Sequence, residues 1–178
     1  MKKIMFNDRF GLTDAVLEGR KTVTRRIANR KDIYPNDARI LAEPQYQVGE
    51  IVAIAECYDK IMETLLVPNG MVRAWIPESA GFRNKMFVKA ELMPNQIEIL
   101  DVRAEWLDDI TDEDCIKEGV KIGKCGNDGN WMTAYYIPNY SQPYVSARDA
   151  FAVLIDKING KGTWESNPCV FRYEFKLK

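Results

Sequence analysis

Residues 19–26 read GRKTVTRR, a segment in which a lysine and two threonines stand among arginines directly after a glycine. The window that continues to residue 31 holds only cations among its charged residues: Arg20, Lys21, Arg25, Arg26, Arg30 and Lys31. The whole chain has a formal net charge of −1, so positive charge is concentrated here. Such a local field favours an anion and lowers the pKa of Lys21 by like-charge repulsion, which suits this amine to act as a base or a nucleophile.

The composition of the 178 residues predicts one domain with enough apolar side chains for a core. No run of eighteen apolar residues is present and the N-terminus lacks an apolar signal segment, so neither a membrane span nor secretion is expected. The four cysteines are widely spaced, which favours free thiols and a cytoplasmic location. A net charge near zero favours a small, local anion site over a broad surface that coats RNA.

The chain contains no histidine. This absence removes nucleophiles that a histidine activates, and it removes the commonest metal ligand. We therefore expect no metal and no other cofactor. In an enzyme of this composition, lysine, glutamate, aspartate, tyrosine or cysteine must carry the acid–base work.

Local patterns predict strands separated by a few helices, which is typical of an α+β protein built as a small barrel or a curled sheet with helices on its flank. Alternating or continuous apolar runs give the strands. They cover residues 3–6, 48–58, 86–90, 96–106 and 169–175.

Each predicted helix begins at a side chain able to cap it and ends at a glycine or an Asn-Gly turn. The caps are, in chain order, Asp8 or Thr13, Thr111, and Ser146. The other stretches are rich in proline, glycine or asparagine and are predicted to be irregular. They are the connection 28–47, a hairpin-like insertion over 59–84, and an aromatic-rich loop over 121–145.

The spacing of residues 19–26 matches the GxKxxxxR signature of the ASCH superfamily, which is related to the PUA domain. The strand signal at 48–52 follows the motif as it does in that fold. Residues 98–114 and 147–168 also resemble ASCH proteins of the phage and prophage type. The resemblance extends over most of the chain.

This resemblance implies a small PUA-like β-barrel with flanking helices and a cleft beside the motif. It implies a single ASCH domain over residues 1–178. Compared with compact members of the superfamily, this domain carries insertions at about 59–95 and 120–145. These insertions are able to reshape or close the cleft, so they bear directly on the substrate.

Within the superfamily, residues 19–26 are similar to the GRKTxTxR segment of a compact bacterial amidohydrolase that cleaves N4-acetylcytidine. The similarity implies catalytic roles for Lys21 and Thr24, and for Glu118 by its place on the helix that Thr111 caps. In amide hydrolysis Thr24 is the nucleophile, Lys21 takes its proton or holds the oxyanion, and Glu118 protonates the amine or orients water. Positions 21 and 24 face opposite sides of a straight strand, so these side chains converge only if the segment curls.

Arginines suit phosphate and aromatic rings suit a base, so both kinds of residue are candidates for substrate binding. The candidates are Arg20, Arg25, Arg26, Trp131 and Tyr135. Each also has a structural interpretation. The arginine at position 26 is able to bridge to Glu98 or Asp101, and the rings are able to pack the predicted loop onto the barrel.

Two functions fit these residues. The first is a hydrolase that deacylates an N4-acylated cytidine or a related small amide. The second is a non-catalytic module that binds a modified base or RNA in the same cleft. A ribonuclease is a third, weaker alternative because histidine is absent. The expected partner is thus a modified nucleoside or RNA, and the oligomeric state is left open.

Overall fold

The computed structural model describes residues 1–28, 43–62 and 78–178. Within these residues two sheets are present. The larger contains β1 (Lys3–Ile4), β2 (Val23–Ile27), β3 (Ile51–Ile54), β4 (Gln96–Trp106) and β8 (Cys169–Leu177), in the order β1-β3-β4-β8-β2. The smaller contains β5 (Lys121–Asn127), β6 (Asn130–Tyr136) and β7 (Pro143–Tyr144). The predicted α+β class is confirmed, and its PUA-like barrel stays a prediction.

In the described chain, all α-helices lie between β1 and β8 in sequence. The helix caps predicted at Thr111 and Ser146 are confirmed, since their side chains accept hydrogen bonds from the backbone N–H groups of Asp114 and Asp149. The cap predicted at Asp8 or Thr13 is wrong, because Gly11 holds the N-cap position of the first helix. The α-helices are α1 (Leu12–Leu17), α2 (Tyr58–Ile61), α3 (Asp112–Lys117), α4 (Ala147–Asn159) and α5 (Thr163–Ser166).

The core lies between the larger sheet and α4. Strand β8 is central, antiparallel to β4 on one side and to β2 on the other. From α4, Phe151 and Leu154 pack into the same apolar cluster as Ile97, Ile99 and Tyr173. A stripe of this kind is what the apolar spacing of α4 predicts. This stripe packs one face of α4 against the core.

The loop predicted over 121–145 is wrong, because these residues form the three-stranded sheet. Strands β5 and β6 pair antiparallel across a two-residue turn at Asp128 and Gly129. Both residues have positive φ, 48° and 87°. An Asp-Gly pair at positive φ is a favoured hairpin turn, so this dipeptide was the signal for the hairpin.

The strand predicted over 86–90 is also wrong. Short 3₁₀ turns occupy Lys85–Phe87 and Ala90–Leu92. The side chain of Asn84 accepts a hydrogen bond from the Met86 N–H, which starts the first turn, and the Lys89 N–H donates to the hydroxyl of Tyr58. These bonds take backbone groups that a strand would use in a ladder.

Parts of two predicted connections, 29–42 and 63–77, lie outside the described residues. The four cysteines are free thiols, as predicted. Among the described residues, every helix is too short or too polar to cross a membrane. The single domain with its insertions stays a prediction.

Candidate active site

The motif 19–26 bends sharply before it becomes a strand. Gly19 has φ 72° and ends α1, and the Lys21 N–H then donates to the carbonyl of Ala15. Strand β2 begins only at residue 23. Lys21 therefore lies in the irregular connection before β2 and Thr24 lies on the strand, so the two side chains are not held on opposite faces of one straight strand.

Both side chains line one cavity of about 420 Å³, together with Glu118. Much of the remaining wall is apolar and comes from Phe6 and from α4. This volume lies within the range of small-molecule sites, and apolar walls with a few polar groups are typical of them. The three residues predicted to be catalytic are therefore brought to a single cavity, and their catalytic roles stay predictions.

Lys21 is buried, with 2% of its surface exposed. Its Nζ donates to the carbonyl oxygens of Val23 and Glu118, each at 2.8 Å, and to Oε2 of Glu118 at 2.5 Å. An ammonium group has three hydrogens, so this arrangement uses all of them. In the resting structure Lys21 and Glu118 form a closed, buried ion pair.

The pKa of Lys21 is lowered from its ordinary value. Burial is the main cause, because it disfavours the charged amine; the Glu118 carboxylate opposes this effect, and Arg26 and Arg25 add to it. The predicted direction is confirmed. The prediction named like-charge repulsion as the cause, whereas desolvation contributes more.

Thr24 presents a hydroxyl that the described residues leave without a partner. Its backbone pairs with Tyr173 of β8, and 5% of the residue is exposed. Within the described chain, the Thr24 hydroxyl has no hydrogen-bond partner. The hydroxyl is therefore free to engage a molecule in the cavity that Thr24 lines.

Arg25 holds the Glu118 carboxylate from the side opposite Lys21. Its Nη1 donates to Oε1 of Glu118 at 3.3 Å, its Nε to Glu105 at 2.7 Å and its Nη2 to Asp114 at 2.5 Å. The Arg25 side chain is 1% exposed. Arg25 lines the cavity, but its guanidinium is engaged with three carboxylates, and its predicted contact with substrate stays a prediction.

Asp114 joins Arg25 to a second buried arginine, Arg172, whose Nε donates to Oδ2 of Asp114 at 2.8 Å. Burial by itself raises the pKa of Asp114, but hydrogen bonds from Arg172 and Arg25 hold it well below its usual range.

Among the described residues, no group of three or more cysteine, aspartate or glutamate side chains is arranged to hold a metal ion.

Sequence reasoning missed Asp114 as a site residue, although a signal was present. Asp114 and Glu118 are four residues apart at the end of one helix, so they share a face. Two carboxylates on one face need cations when that face is buried. The cationic segment 19–26 supplies two of them, Lys21 and Arg25.

The bridge predicted from Arg26 to Glu98 or Asp101 is wrong. Strand β8 lies between β2 and β4, so it separates Arg26 from both carboxylates. The Nη2 of Arg26 donates instead to the carbonyl of Met5 at 2.6 Å, and the guanidinium lies 5.7 Å from the centre of the Phe6 ring. Arg26 lines the cavity, and its predicted contact with substrate stays a prediction.

The cavity does not include Arg20, Trp131 or Tyr135. Arg20 is exposed and pairs with Glu18, while Trp131 and Tyr135 lie on β6 in the smaller sheet. Their predicted roles in substrate binding stay predictions. Among the described residues, the cavity instead includes four polar residues that the sequence did not indicate as site residues: Asn7, Asp8, Lys85 and Asn159.

Gly119 packs directly over the Lys21 side chain, which gives a first prediction. It has φ 111°, and a Cβ here would lie 3.1 Å from Cδ2 of Leu12 and 3.8 Å from Cδ of Lys21. We expect Gly119→Ala to lower the free energy of unfolding by more than the roughly 1–2 kcal/mol of positive-φ strain, because Leu12 must also move.

Gly160→Ala is the matched control, since Gly160 has the same φ of 111° and no atom within 4 Å of its added Cβ. Urea unfolding of both variants measures the difference. Equal losses in the two variants would contradict close packing of Gly119 against Leu12 and Lys21.

Comparisons with known proteins do not establish a family for this chain. No model of a known family matches the sequence, and no curated protein matches it. Among solved structures, the chain is similar to an ASCH domain from Lactobacillus crispatus JV V101, at 12% identity and a TM-score of 0.38, over 93% of this chain and 69% of that one. A likeness this weak carries no argument about the chain's function.

Proposed function

We propose that the chain is a hydrolase that cleaves the amide of an N4-acylated cytidine or a related small amide. One observation carries the proposal: an unpaired hydroxyl, Thr24, lines the same cavity as a buried lysine–carboxylate pair, Lys21 and Glu118. These are a nucleophile and a group able to move its proton. The resemblance of residues 19–26 to the ASCH amidohydrolase segment supports the same choice.

The proposal has a structural part as well. The chain is a single ASCH domain over 1–178, of the phage or prophage type, with a PUA-like barrel and insertions at about 59–95 and 120–145. It acts in the cytoplasm. The extent of the sequence resemblance supports the domain assignment, and the four free cysteines support the cytoplasmic location.

In the first step, Oγ1 of Thr24 attacks the acyl carbon and its proton passes to the Lys21–Glu118 pair. All three Nζ hydrogens of Lys21 are donated at rest, so Lys21 acts as a base only after one proton moves to Glu118. The 2.5 Å contact between Nζ and Oε2 is the path for that transfer. Burial favours it, because a neutral pair costs less desolvation than two charges.

In the second step, the bond between the acyl carbon and N4 breaks, and the pair returns the proton to N4, so that cytidine leaves with its amino group. The acyl group is then an ester of Thr24. Water attacks this ester, which releases the carboxylic acid and restores the hydroxyl. Removal of the Thr24 proton and return of a proton to N4 are the two tasks of one general acid–base pair.

The test is turnover of N4-acetylcytidine and a panel of N4-acylated cytidines by the purified protein, with cytidine release followed by chromatography. We expect release well above hydrolysis in buffer for at least one acyl group. Absence of release from every member of the panel would overturn the proposal.

The pH profile of turnover gives a second prediction. In the proposed first step the proton of Lys21 moves to Glu118 and stays within the pair, so kcat/KM of the unaltered protein does not require Lys21 to lose a proton to solvent. Glutamine cannot take that proton. In Glu118→Gln the residual kcat/KM should therefore rise with pH through the pKa of Lys21, which burial lowers from 10.5. A residual kcat/KM that does not rise with pH would exclude Lys21 as the base.

A second candidate function, RNA binding, is favoured by exposed residues of the β5–β6 hairpin. Cross-strand pairing places Trp131 and Lys124 on one face, and Trp131 is 59% exposed. Tyr135 lies on the same face but is half-buried and packs against the core. An exposed aromatic ring beside a lysine is suited to stack on a single-stranded base.

Fluorescence anisotropy with a single-stranded RNA oligonucleotide tests this second function. We expect Trp131→Ala to weaken binding by about five- to hundredfold. The control is Met132→Ala, which changes the next residue, on the opposite face of β6. No binding by the unaltered protein would remove this function, and cleavage of the oligonucleotide would instead favour a ribonuclease.

A further inference from the structure

A second polar cluster lines the cavity, and the proposed mechanism does not use it. It consists of Asn7, Asp8 and Lys85. Phe6 joins it to the catalytic residues: its carbonyl oxygen accepts from Nζ of Lys85, while Nζ of Lys21 lies 5.8 Å from the centre of its ring. Phe6 thus contacts a lysine of each cluster, and both clusters line the same cavity.

Lys85 is committed to holding this cluster together. Its Nζ donates to the carbonyl of Phe6, to Oδ1 of Asp8 at 2.8 Å and to the hydroxyl of Thr13 at 3.2 Å. These three acceptors use all three ammonium hydrogens. Lys85 therefore has no donor left for a phosphate, and the cluster is not built to bind one.

Asp8 keeps one oxygen free. Its Oδ1 accepts from Thr13 at 2.5 Å and from Lys85, whereas Oδ2 has no partner within the described part of the chain. Burial raises the pKa of Asp8, but the hydrogen bonds from Lys85 and Thr13 outweigh it and lower the pKa below its ordinary value. The free oxygen is therefore an ionised acceptor, the strongest kind for a hydroxyl.

Asn7 complements this acceptor. Its Oδ1 accepts from the Arg9 N–H at 3.0 Å, which fixes the side chain, and its Nδ2 has no partner among the described residues. Side by side in the chain, Asn7 offers a donor and Asp8 an acceptor. A sugar hydroxyl both donates and accepts, so a pair of vicinal hydroxyls matches this cluster better than a phosphate or an apolar group does.

We propose that Asp8 and Asn7 form a subsite for the ribose 2′ and 3′ hydroxyls of the substrate, and that Lys85 positions Asp8 within it. This inference rests on the proposed function, since it assigns the sugar of the N4-acylated nucleoside to a defined place. The cavity then selects a ribonucleoside over the 2′-deoxynucleoside and over the free base.

The test is direct binding, which does not depend on turnover. Calorimetry measures the affinity of each protein for cytidine, 2′-deoxycytidine and cytosine. The quantity compared between proteins is the ratio of the cytidine affinity to the cytosine affinity. In the unaltered protein we expect cytidine to bind about 10–100-fold more tightly than cytosine, as for hydrogen bonds to a charged group. In Asp8→Asn this ratio should fall close to one. Asp14→Asn, an exposed aspartate outside the cavity, is the control and should keep it.

Lys85 is tested by rescue. Lys85→Met should lower the cytidine-to-cytosine ratio, and Lys85→Arg should restore most of it, because arginine still donates to Asp8. A ratio that Asp8→Asn leaves unchanged would overturn the subsite. If the cytidine-to-cytosine ratio falls to one in Asp8→Asn but is unchanged in Lys85→Met, Lys85 does not position Asp8.

Turnover of N4-acetylcytidine by the same preparations separates the two proposals. If the protein turns over substrate but Asp8→Asn leaves the cytidine-to-cytosine ratio unchanged, the subsite is wrong and the hydrolase stands. If the ratio depends on Asp8 but no N4-acylated cytidine is turned over, the subsite is supported and the hydrolase is wrong. Absence of both turnover and nucleoside binding overturns both.

Discussion

Lys21→Met is expected to lower kcat/KM for N4-acetylcytidine by about 10²–10⁴-fold, the usual worth of general acid–base catalysis. Methionine keeps most of the length and the apolar contacts of lysine but cannot move a proton. Steady-state kinetics over a range of substrate concentrations measures the effect. A variant that retains kcat/KM within a few-fold would show that Lys21 is only structural.

The substitution leaves the Glu118 carboxylate without its closest partner, so folding needs its own control. Glu118 is buried, and among the described residues its carboxylate keeps only the 3.3 Å contact from Arg25. The double variant Lys21→Met/Glu118→Gln removes the unpaired charge and should recover stability without recovering activity. Recovery of activity in the double variant would contradict the role given to Lys21.

Asp114→Asn is expected to lower the free energy of unfolding by about 3–5 kcal/mol, the cost of breaking a buried ion pair from one side. The side chains of Arg25 and Arg172 are 1% and 4% exposed, and each loses one of its carboxylate partners in this variant, while Glu118 remains with Arg25 and Glu174 with Arg172. Asp112→Asn, an exposed change in the same helix, should cost at most about 1 kcal/mol. Urea unfolding of both variants at neutral pH makes the comparison, and equal losses would contradict it.

We also expect the stability difference between the unaltered protein and Asp114→Asn to depend on pH. In the folded state the pKa of Asp114 is held below its unfolded value of 3.8, so the folded state favours the carboxylate. Its stabilisation is complete above pH 3.8 and is lost as the pH falls below that value. The stability difference between the unaltered protein and Asp114→Asn should therefore be constant near neutrality and shrink in acid. A difference that grows in acid would have the wrong sign.

The parts of the fold that the sequence predicted well depend on local chemistry. The hydroxyls of Thr111 and Ser146 cap helices through bonds to residues three positions away, and positive φ at Gly19 ends α1. The two long strands of the larger sheet, β4 and β8, also begin where their apolar patterns begin. Each of these signals lies within a few residues of the structure that it specifies.

The smaller sheet shows how composition can mislead. Glycines, asparagines and aromatic rings in 121–145 suggested a loop, yet most of these residues lie in paired strands. The Asp128-Gly129 pair is a local signal for a hairpin turn, and it indicated the structure better than the composition did. The cross-strand contacts that hold the rings in place could not be predicted locally, because pairing depends on the partner strand.

The catalytic residues of the candidate site were predicted only through the family resemblance. Lys21 and Glu118 are 97 residues apart in sequence, and Arg172 and Asp114 are 58 apart. No local pattern specifies a contact over such separations. Lys85 enters the cavity from a segment with no recognisable motif, and its partner Asp8 appeared in the sequence only as a helix cap. These long-range contacts depend on how helices, turns and strands pack together, which local sequence patterns do not specify.

The most direct test of the central claim is the rate of cytidine release from N4-acetylcytidine by the unaltered protein and by Thr24→Val, measured side by side. Valine has nearly the shape of threonine but lacks the hydroxyl, and the Thr24 hydroxyl holds no hydrogen bond within the described chain that the change would break. If Thr24 is the nucleophile, the variant should be slower by at least about 10³-fold and equally stable. Equal rates in the two proteins would contradict the account.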